Sequence, residues 1–263
     1  PRLDGLVLRT FPDNETMIAA YQNGELTTMS GLRSFDESID EEQSRVSDLP
    51  LFGGVYSFFN LNNQYLSDQK VRQALTHSVD QGEIAKILGW RYATLSGPLL
   101  SNQLGFAPDL VQLGYDPARA DALLNETGWI MGPEGVRIKE GQPLQLTLVT
   151  QNSDEYPLVA DQLQKQWAKL GVKVQLTYVD STELQQTHIS PHNYDILLFG
   201  ISIGADPDVY VYWHSSGAEV GGLNLSQYKS SEVDLALEGG RTRSDADLRT
   251  AKYRVFLEHW RSD

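Results

Sequence analysis

The chain of 263 residues contains no cysteine, which excludes disulfide bonds, cysteine-ligated zinc and thiol nucleophiles within it. No apolar run reaches the length of about 20 residues that a membrane-spanning helix needs. The sequence opens with Pro1, and neither an initiating methionine nor a signal segment stands at its start. We therefore expect a mature piece or a fragment of a longer protein.

Positive charge is scarce in the composition. Lysine and arginine together number 21 against 35 aspartates and glutamates, which gives a formal net charge of -14. Binding to nucleic acid or to anionic lipid needs basic side chains concentrated on one face, so the composition argues against both partners. The acidic excess is typical of a solubilising surface, with electrostatic steering of a cationic ligand as the alternative.

Sequence signatures of several enzyme classes are absent. HExxH, the P-loop and the glycine pattern of dinucleotide-binding folds do not occur. His188 and His192 have the spacing of a metal-binding pair on a helix, but Pro191 interrupts that helix and no carboxylate has the matching spacing. We predict no catalytic residue, no metal site and no cofactor.

Residues 144–178 have the pattern of a β-α-β unit. Apolar residues alternate along residues 144–148 and 172–178, as in strands, and recur at helical spacing between them up to Gly171. Two strands joined by a helix favour a parallel pair with a right-handed crossover. The pattern predicts an α/β fold.

Further elements are predicted on both sides of this unit. Strand patterns occupy residues 3–10 and 55–61. Helices are predicted after the cap residues Ser67, Asp116 and Ser244, because apolar positions at helical spacing follow each of them. These elements extend the α/β pattern over the whole chain.

Residues 33–48 are rich in serine, aspartate, glutamate and glutamine. We interpret this stretch as an exposed connection and as the boundary between two domains. The predicted division is a first part over residues 1–48 and a second part over residues 49–263.

The segment from Tyr194 to Tyr228 has the features of one wall of a ligand cleft. An apolar strand pattern ends close to residue 202, and ligands of α/β proteins usually meet the carboxyl ends of strands. An Asp-Pro-Asp sequence and three aromatic residues follow. The candidate ligand-binding residues in this segment are Ser202, Ile203, Asp206, Asp208, Tyr210, Tyr212 and Trp213.

Each of these candidates has a structural alternative. Asp206 either contacts a cationic ligand group or caps a helix that has Pro207 at its first position. Asp208 either joins it at the ligand or serves the same turn. The aromatic side chains either line the cleft or pack against the sheet, and we expect Tyr212 or Trp213 in the cleft.

Several segments resemble, in the same order, those of the family-5 extracellular solute-binding proteins, the peptide-binding proteins that serve ABC importers. The matching segments are VRQAL (71–75) followed by VD (79–80), GPL (97–99), YDP with a later LL and G (115–128), QWAKLGV (166–172), the stretch 194–228 and YKSSEVDLAL (228–237). Each motif alone is unspecific, but six in one order are a specific signal. Together they span roughly residues 3–261.

The resemblance implies a periplasmic-binding-protein type II-like lobe with a mixed sheet flanked by helices. Members of the family have two lobes joined by hinge strands, close around a ligand in the cleft between them, and present the closed form to a membrane permease. Residues 49–263 would then be the ligand-binding C-terminal lobe, and residues 1–48 the end of the first lobe and the connection. By the same resemblance, we expect the family's final strand, which returns to the first lobe, to lie outside these 263 residues.

The resemblance adds two candidates where the chain would enter the second lobe. Phe59 and Asn60 are candidates for the hinge and the edge of the cleft. Their alternative is an ordinary strand residue followed by a hydrogen-bonding asparagine.

One position departs from the family's pattern. Many peptide binders of the family place an aspartate three positions before the acidic residue of the Asp/Glu-Pro pair, where it pairs with the α-ammonium group of the peptide. Counting back from Asp206 gives Ile203. The departure argues against a ligand with a free N-terminal ammonium group, and leaves N-blocked, uncharged and non-peptide ligands as alternatives.

The function that the resemblance predicts is non-enzymatic. The protein would act as a monomer outside the cytoplasm, in the periplasm or as a cell-surface lipoprotein. It would capture a peptide or similar small solute for the permease of an ABC transporter. The alternatives are a hydrolase that uses Asp206 and Asp208, and a carrier of nickel or a metal chelate. Because the chain matches only the later part of a family member, we expect it to fold but to bind ligand weakly or not at all.

Overall fold

The computed structural model describes residues 4–32, 36, 38–40, 44–47, 51–89, 92 and 94–263. These residues belong to two units, a smaller one over residues 1–50 with 89–92 and a larger one over residues 51–88 with 93–263. The predicted connection at residues 33–48 lies only partly within the described residues. The predicted boundary after residue 48 lies outside them, so the division at that point stays a prediction.

The smaller unit contains the helix α1 (Asn14–Gln22). It begins after Asp13, whose Oδ1 accepts a 2.8 Å hydrogen bond from the backbone N–H of Thr16. Ile18 is buried on this helix. The cap satisfies a backbone donor that has no partner within the helix, and this fixes where the helix starts.

The strand predicted over residues 3–10 is not formed in its described part, residues 4–10. Leu6, Val7 and Leu8 are between 77% and 86% exposed. The alternation of apolar and polar residues gives a strand only where a second strand completes its hydrogen bonds. The described part of the smaller unit places no such strand beside it, so this prediction was wrong.

The larger unit holds the sheet and most of the helices. In chain order its elements are β1 (Gly53–Phe59), α2 (Gln69–His77), α3 (Gln81–Leu88), α4 (Pro117–Glu126), β2 (Ile130–Met131), β3 (Arg137–Lys139), β4 (Gln142–Pro143), β5 (Gln145–Gln151), α5 (Tyr156–Lys169), β6 (Lys173–Val179), α6 (Ser181–Glu183), a π-helix (Leu184–Ile189), β7 (Ile196–Ser202), α7 (Tyr210–Trp213), a 3₁₀ turn (Ser215–Gly217), α8 (Ser231–Thr242) and α9 (Ala246–Ser262).

The main sheet has four strands in the order β1-β7-β5-β6. β5 is parallel to both β6 and β7, whereas β1 is antiparallel to β7. The sheet is therefore mixed, and the predicted β-α-β unit is confirmed as β5-α5-β6. A second, small sheet is formed by the antiparallel strands β2, β3 and β4.

Helices cover both faces of the main sheet, because its central strands are apolar on both sides. Leu148 and Leu198 face the core that also contains the buried residues of α2, α4 and α5. Val149 and Leu197, one position along each strand, face a second core with α8 and α9. Alternate residues of a strand point to opposite faces, which explains the two cores. The predicted sheet flanked by helices is confirmed.

Three predicted helix starts, those of α2, α4 and α9, agree with the structure to within one residue. Asp116 caps α4 as expected. The caps of α2 and α9 are Asp68 and Asp245, not Ser67 and Ser244. In both corrected cases two neighbouring side chains were able to cap, and the one used places its carboxylate against the free N–H groups of the first turn.

Candidate functional site

The turn after β7 lies at the carboxyl edge of the main sheet. β7 ends at Ser202, which pairs with Gly53 at the start of β1. The carbonyl oxygen of Phe52 accepts hydrogen bonds from the backbone N–H groups of Ile203 at 2.7 Å and Gly204 at 3.2 Å. Residues 203–209, which we call the exit turn, are thus tied to the sheet at their beginning.

A buried glutamine holds the same end of the exit turn from the side. Gln103 is 6% exposed, and its Nε2 donates to the carbonyl oxygen of Gly204 at 2.8 Å. Its Oε1 accepts from the backbone N–H of Leu100 at 2.8 Å, so the side chain is fixed in orientation. Nothing in the local sequence indicated this contact, because Gln103 and Gly204 lie far apart in the chain.

Asp206 forms an ion pair with Arg249 of α9. The Nη2 of Arg249 lies 2.7 Å from one carboxylate oxygen of Asp206 and 3.0 Å from the other. The hydrogen bond to Asp206 raises the pKa of the Arg249 guanidinium. The interpretation of Asp206 as a helix cap was wrong: α7 begins at Tyr210, its N-cap is Val209, and no side chain caps it.

Asp208 has the corresponding role at the far end of the exit turn. Its Oδ2 accepts a 2.9 Å hydrogen bond from the Nε of Arg241 on α8. The guanidinium of Arg241 lies over the ring of Tyr210, with 4.2 Å to the ring centroid, and that ring stacks on His214 at 4.0 Å. The stack of cation and rings packs α7 against α8.

The other two aromatic candidates of α7, Tyr212 and Trp213, lie in different environments. The hydroxyl of Tyr212 donates to the carbonyl oxygen of Ser202 at 2.8 Å, and burial raises the pKa of this tyrosine. Trp213 is 5% exposed and packs against Phe256 in the core. Of the two residues expected in the cleft, Tyr212 lies beside the exit turn, and Trp213 takes the structural alternative.

Phe59 and Asn60 lie at the opposite edge of the sheet from these residues. Because β1 is antiparallel to β7, Phe59 pairs with Ile196, the first residue of β7, whereas Gly53 pairs with Ser202. The seven residues of β1 put about 20 Å between the two ends. The chain enters the sheet at Gly53, so placing Phe59 and Asn60 where it enters was wrong.

Asn60 is a structural residue at that opposite edge. It is 8% exposed, and its Nδ2 donates to the carbonyl oxygen of Tyr194 at 2.9 Å. Its Oδ1 accepts from the backbone N–H of Asn62 and from Nε2 of Gln227, both at 3.0 Å. These bonds satisfy the buried amide and correspond to the alternative stated for this residue.

A polar recess of about 340 Å³ lies at this edge and includes Asn60, His188, His192 and Asp195 in its lining. Asp195 accepts from the backbone N–H of Thr147 at 2.8 Å, which holds the start of β5. Burial lowers the pKa of the His192 imidazole. Among the described residues, no group of three or more His, Cys, Asp or Glu side chains could hold a metal ion.

A model of the bacterial extracellular solute-binding proteins, family 5 Middle, matches residues 1–222 of the chain. The oligopeptide-binding protein AppA of Bacillus subtilis (strain 168) is 27% identical over an alignment of 279 positions, which covers 98% of this chain and 49% of AppA. The dipeptide-binding protein of Escherichia coli (strain K12) is 25% identical over 263 positions, which cover 97% of this chain and 47% of that protein. The chain spans about half the length of these relatives.

Solved structures give the same result for the fold. B. subtilis AppA in complex with a nonapeptide has a TM-score of 0.74 at 26% identity, covering 81% of this chain and 43% of AppA. NikZ from Campylobacter jejuni in complex with Ni(L-His) has a TM-score of 0.74 at 27% identity, again covering 81% of this chain and 43% of NikZ. These similarities confirm the predicted binding-protein fold.

In the described part of the chain, no helix is both long enough and apolar enough to cross a membrane. The family match covers well over half of the 263 residues, and relatives of the same kind match nearly all of them. This chain therefore belongs to the bacterial extracellular solute-binding proteins, family 5.

Proposed function

We propose that the protein is the substrate-binding component of an ABC transporter. It captures a peptide or similar small solute outside the cytoplasm and delivers it to a membrane permease, without chemical conversion of the solute. The observation that carries this proposal is the family match over residues 1–222. Relatives named for binding oligopeptides and dipeptides support a peptide as the solute.

The carboxyl edge of the main sheet is the part of the chain that would meet the solute. Ligands of open α/β sheets bind outside the carboxyl ends of the strands, where β7 leads into the exit turn. Ser202, Ile203 and Tyr212 are the candidates that lie together there. Backbone groups and one tyrosine beside an apolar side chain suit a solute with both polar and apolar groups.

The domain assignment belongs to the same proposal. Residues 49–263 would be the C-terminal lobe, and residues 1–48 the end of the first lobe with its connection. Because the chain spans about half the length of its relatives, the complete cleft would need the remainder of the first lobe. Closure of the two lobes around the solute would then select the form that the permease recognises.

A metal chelate is the second candidate solute. NikZ from Campylobacter jejuni, whose structure holds Ni(L-His), is as similar to this chain as peptide-bound AppA is. The described residues hold no cluster of three metal-ligating side chains. A metal would therefore arrive within a small organic ligand that the protein recognises as a whole.

The hydrolase alternative receives no support from the positions of the two acids. Asp206 is ion-paired with Arg249, and Asp208 with Arg241. Glycoside hydrolysis requires two carboxyl groups that face a substrate from opposite sides, one of them protonated. Two carboxylates on one turn, each bonded to its own arginine, do not provide that arrangement.

The test is native mass spectrometry of the full-length protein, purified without refolding, to identify a bound solute. A mass in the range of short peptides supports the peptide proposal, and fragmentation of that solute shows whether its N-terminus is blocked. A mass that contains nickel or another metal with an organic ligand moves the solute to the second candidate. If the protein is empty and a library of tripeptides to nonapeptides and nickel–histidine all fail to bind, the proposed function is wrong.

A further inference from the structure

We infer that Asp206 is a positioning residue, which orients the exit turn through Arg249 and does not contact the solute. This inference rests on the proposed function, because it concerns the rim of the solute site. It differs from the expectation that Asp206 meets a cationic group of the ligand. The argument depends on which charges surround this carboxylate and on how firmly its partner is held.

Arg249 is fixed from several directions. Its side chain is 17% exposed, and its Nε donates to the carbonyl oxygen of Gly240 at 2.8 Å. Its Nη2 lies 3.4 Å from the hydroxyl of Tyr253. The guanidinium therefore has a defined place between α8 and α9, and the carboxylate of Asp206 takes its position from it.

A guanidinium at 2.7 Å makes Asp206 a poor anchor for a second cation. Both carboxylate oxygens lie within hydrogen-bonding distance of the same Nη2 of Arg249. A ligand ammonium group approaching the carboxylate would also be repelled by the arginine, which cancels part of the attraction by the acid. The pair is close to neutral toward the solute.

Asp208 shows the same arrangement two residues further along the exit turn. Its Oδ2 is bonded to Arg241 at 2.9 Å, and its Oδ1 accepts from the backbone N–H of Tyr210 at 3.3 Å. Two arginines from neighbouring helices therefore bind two acids of one turn. Both acids tie the end of the exit turn to the helices that cover one face of the sheet.

The beginning of the exit turn is held independently by Phe52 and Gln103. The turn is thus attached to the sheet at one end and to α8 and α9 at the other. A loop ordered before binding loses less conformational entropy when the solute arrives. Loss of the Asp206–Arg249 contact should therefore weaken binding more than it weakens the fold.

The experiment compares two substitutions of Asp206 in the full-length protein. Asp206→Asn removes the negative charge but keeps an oxygen that accepts from Arg249, whereas Asp206→Ala removes both. The probe is a synthetic library of tripeptides to nonapeptides with free termini, and bound fractions are measured by native mass spectrometry. Asp109→Ala is the matched control, because it breaks another ion pair of α9, with Arg254, that does not touch the exit turn.

If Asp206 positions the turn, Asp206→Ala should weaken binding about three- to tenfold while Asp206→Asn and Asp109→Ala stay close to the unchanged protein. The melting temperatures of the three variants should differ little. Equal loss of binding in Asp206→Asn and Asp206→Ala would overturn the inference, because the charge itself would then matter. Unchanged binding in Asp206→Ala would overturn it as well.

Failure of the proposed function gives a different result. In that case the unchanged full-length protein binds neither a member of the peptide library nor nickel–histidine, which removes the inference along with the proposal. Binding by the unchanged protein followed by loss in Asp206→Asn defeats the inference alone.

Discussion

The Nε of Arg137 donates a 2.8 Å hydrogen bond to the carbonyl oxygen of Leu170, which joins β3 to the C-terminal end of α5. The side chain of Arg137 is 1% exposed. Its Nη1 donates to the carbonyl oxygen of Trp129 at 2.6 Å and to Oδ1 of Asn125 at 2.8 Å, and its Nη2 is ion-paired with Asp121. One buried guanidinium therefore connects α4, the small sheet and the β-α-β unit.

Arg137→Ala should lower the free energy of unfolding by about 3 kcal/mol, because buried carbonyl oxygens lose their donor. Urea unfolding followed by circular dichroism measures this change. Arg119→Ala is the matched control, because Arg119 is 48% exposed and solvent screens its ion pair with Glu126. Equal losses in the two variants would contradict the assigned role of Arg137.

Asn60→Ala should destabilise the fold without affecting solute binding. The substitution leaves the carbonyl oxygen of Tyr194 without its donor, at a cost of about 2 kcal/mol. Asn60 lies about 20 Å from the carboxyl edge of the sheet, so the affinity of the full-length protein for bound peptides should not change. Asn62→Ala, at an exposed neighbouring position, is the control. A loss of affinity with unchanged stability would instead show that Asn60 contributes to solute binding.

Stability at alkaline pH should depend on Tyr56. Burial raises the pKa of its hydroxyl from 10.0 to about 12, and this hydroxyl donates to the carbonyl oxygen of Gly97 at 3.2 Å. The unfolded chain therefore loses the proton first. The stability due to this group is complete below pH 10.0 and is lost as the pH rises toward about 12.

The variant Tyr56→Phe isolates this effect from the other tyrosines. The difference in unfolding free energy between the unchanged protein and Tyr56→Phe should shrink by about 2 kcal/mol over that pH range. Denaturant unfolding at a series of alkaline pH values measures the difference. A difference in unfolding free energy that stays constant over this pH range would show that Tyr56 has the same pKa in the folded and unfolded chains.

Ile203→Asp should give the full-length protein a preference for peptides with a free N-terminus. Ile203 follows β7 directly, and a carboxylate there would attract an α-ammonium group at the carboxyl edge of the sheet. We expect the ratio of affinities for a free peptide and its N-acetylated form to rise about three- to tenfold. Ile203→Asn, which adds a polar group without charge, should leave the ratio unchanged. Isothermal titration of both peptide forms would decide, and an equal ratio in the two variants would refute the expectation.

The parts of the fold that the sequence predicted are those set by local patterns. The β-α-β unit could be read because its strands alternate over several residues and Gly171, which has a φ of 85°, ends the helix between them. Helix starts were shifted by a single residue where two polar side chains adjoin, as at Ser67 and Asp68. These features depend on hydrogen bonds between residues that are close in the chain, and a local sequence pattern indicates such bonds.

The parts that failed depend on contacts between distant residues. The direction of β1 relative to β7 could not be read from either strand, and so Phe59 and Asn60 were grouped with residues at the other edge. Asp206 has the sequence of a helix cap, but Arg249, 43 positions later, pairs with its carboxylate. A local pattern is compatible with several hydrogen-bond or ion-pair partners for a polar side chain, and the tertiary fold determines which partner is used.

The pairing of β1 with β7 also affects how a growing chain can fold. Asn60 and Tyr194 are hydrogen-bonded next to the Phe59–Ile196 pair of these strands, and they are 134 residues apart in the chain. During synthesis β1 emerges long before its partner, and its apolar residues stay without their final neighbours until the rest of the sheet exists. Pairing over such a separation forms slowly, because a long loop must close first. We therefore expect β5, α5 and β6, which are consecutive in the chain, to assemble before β1 joins, although β1 is the first strand of the main sheet to be made.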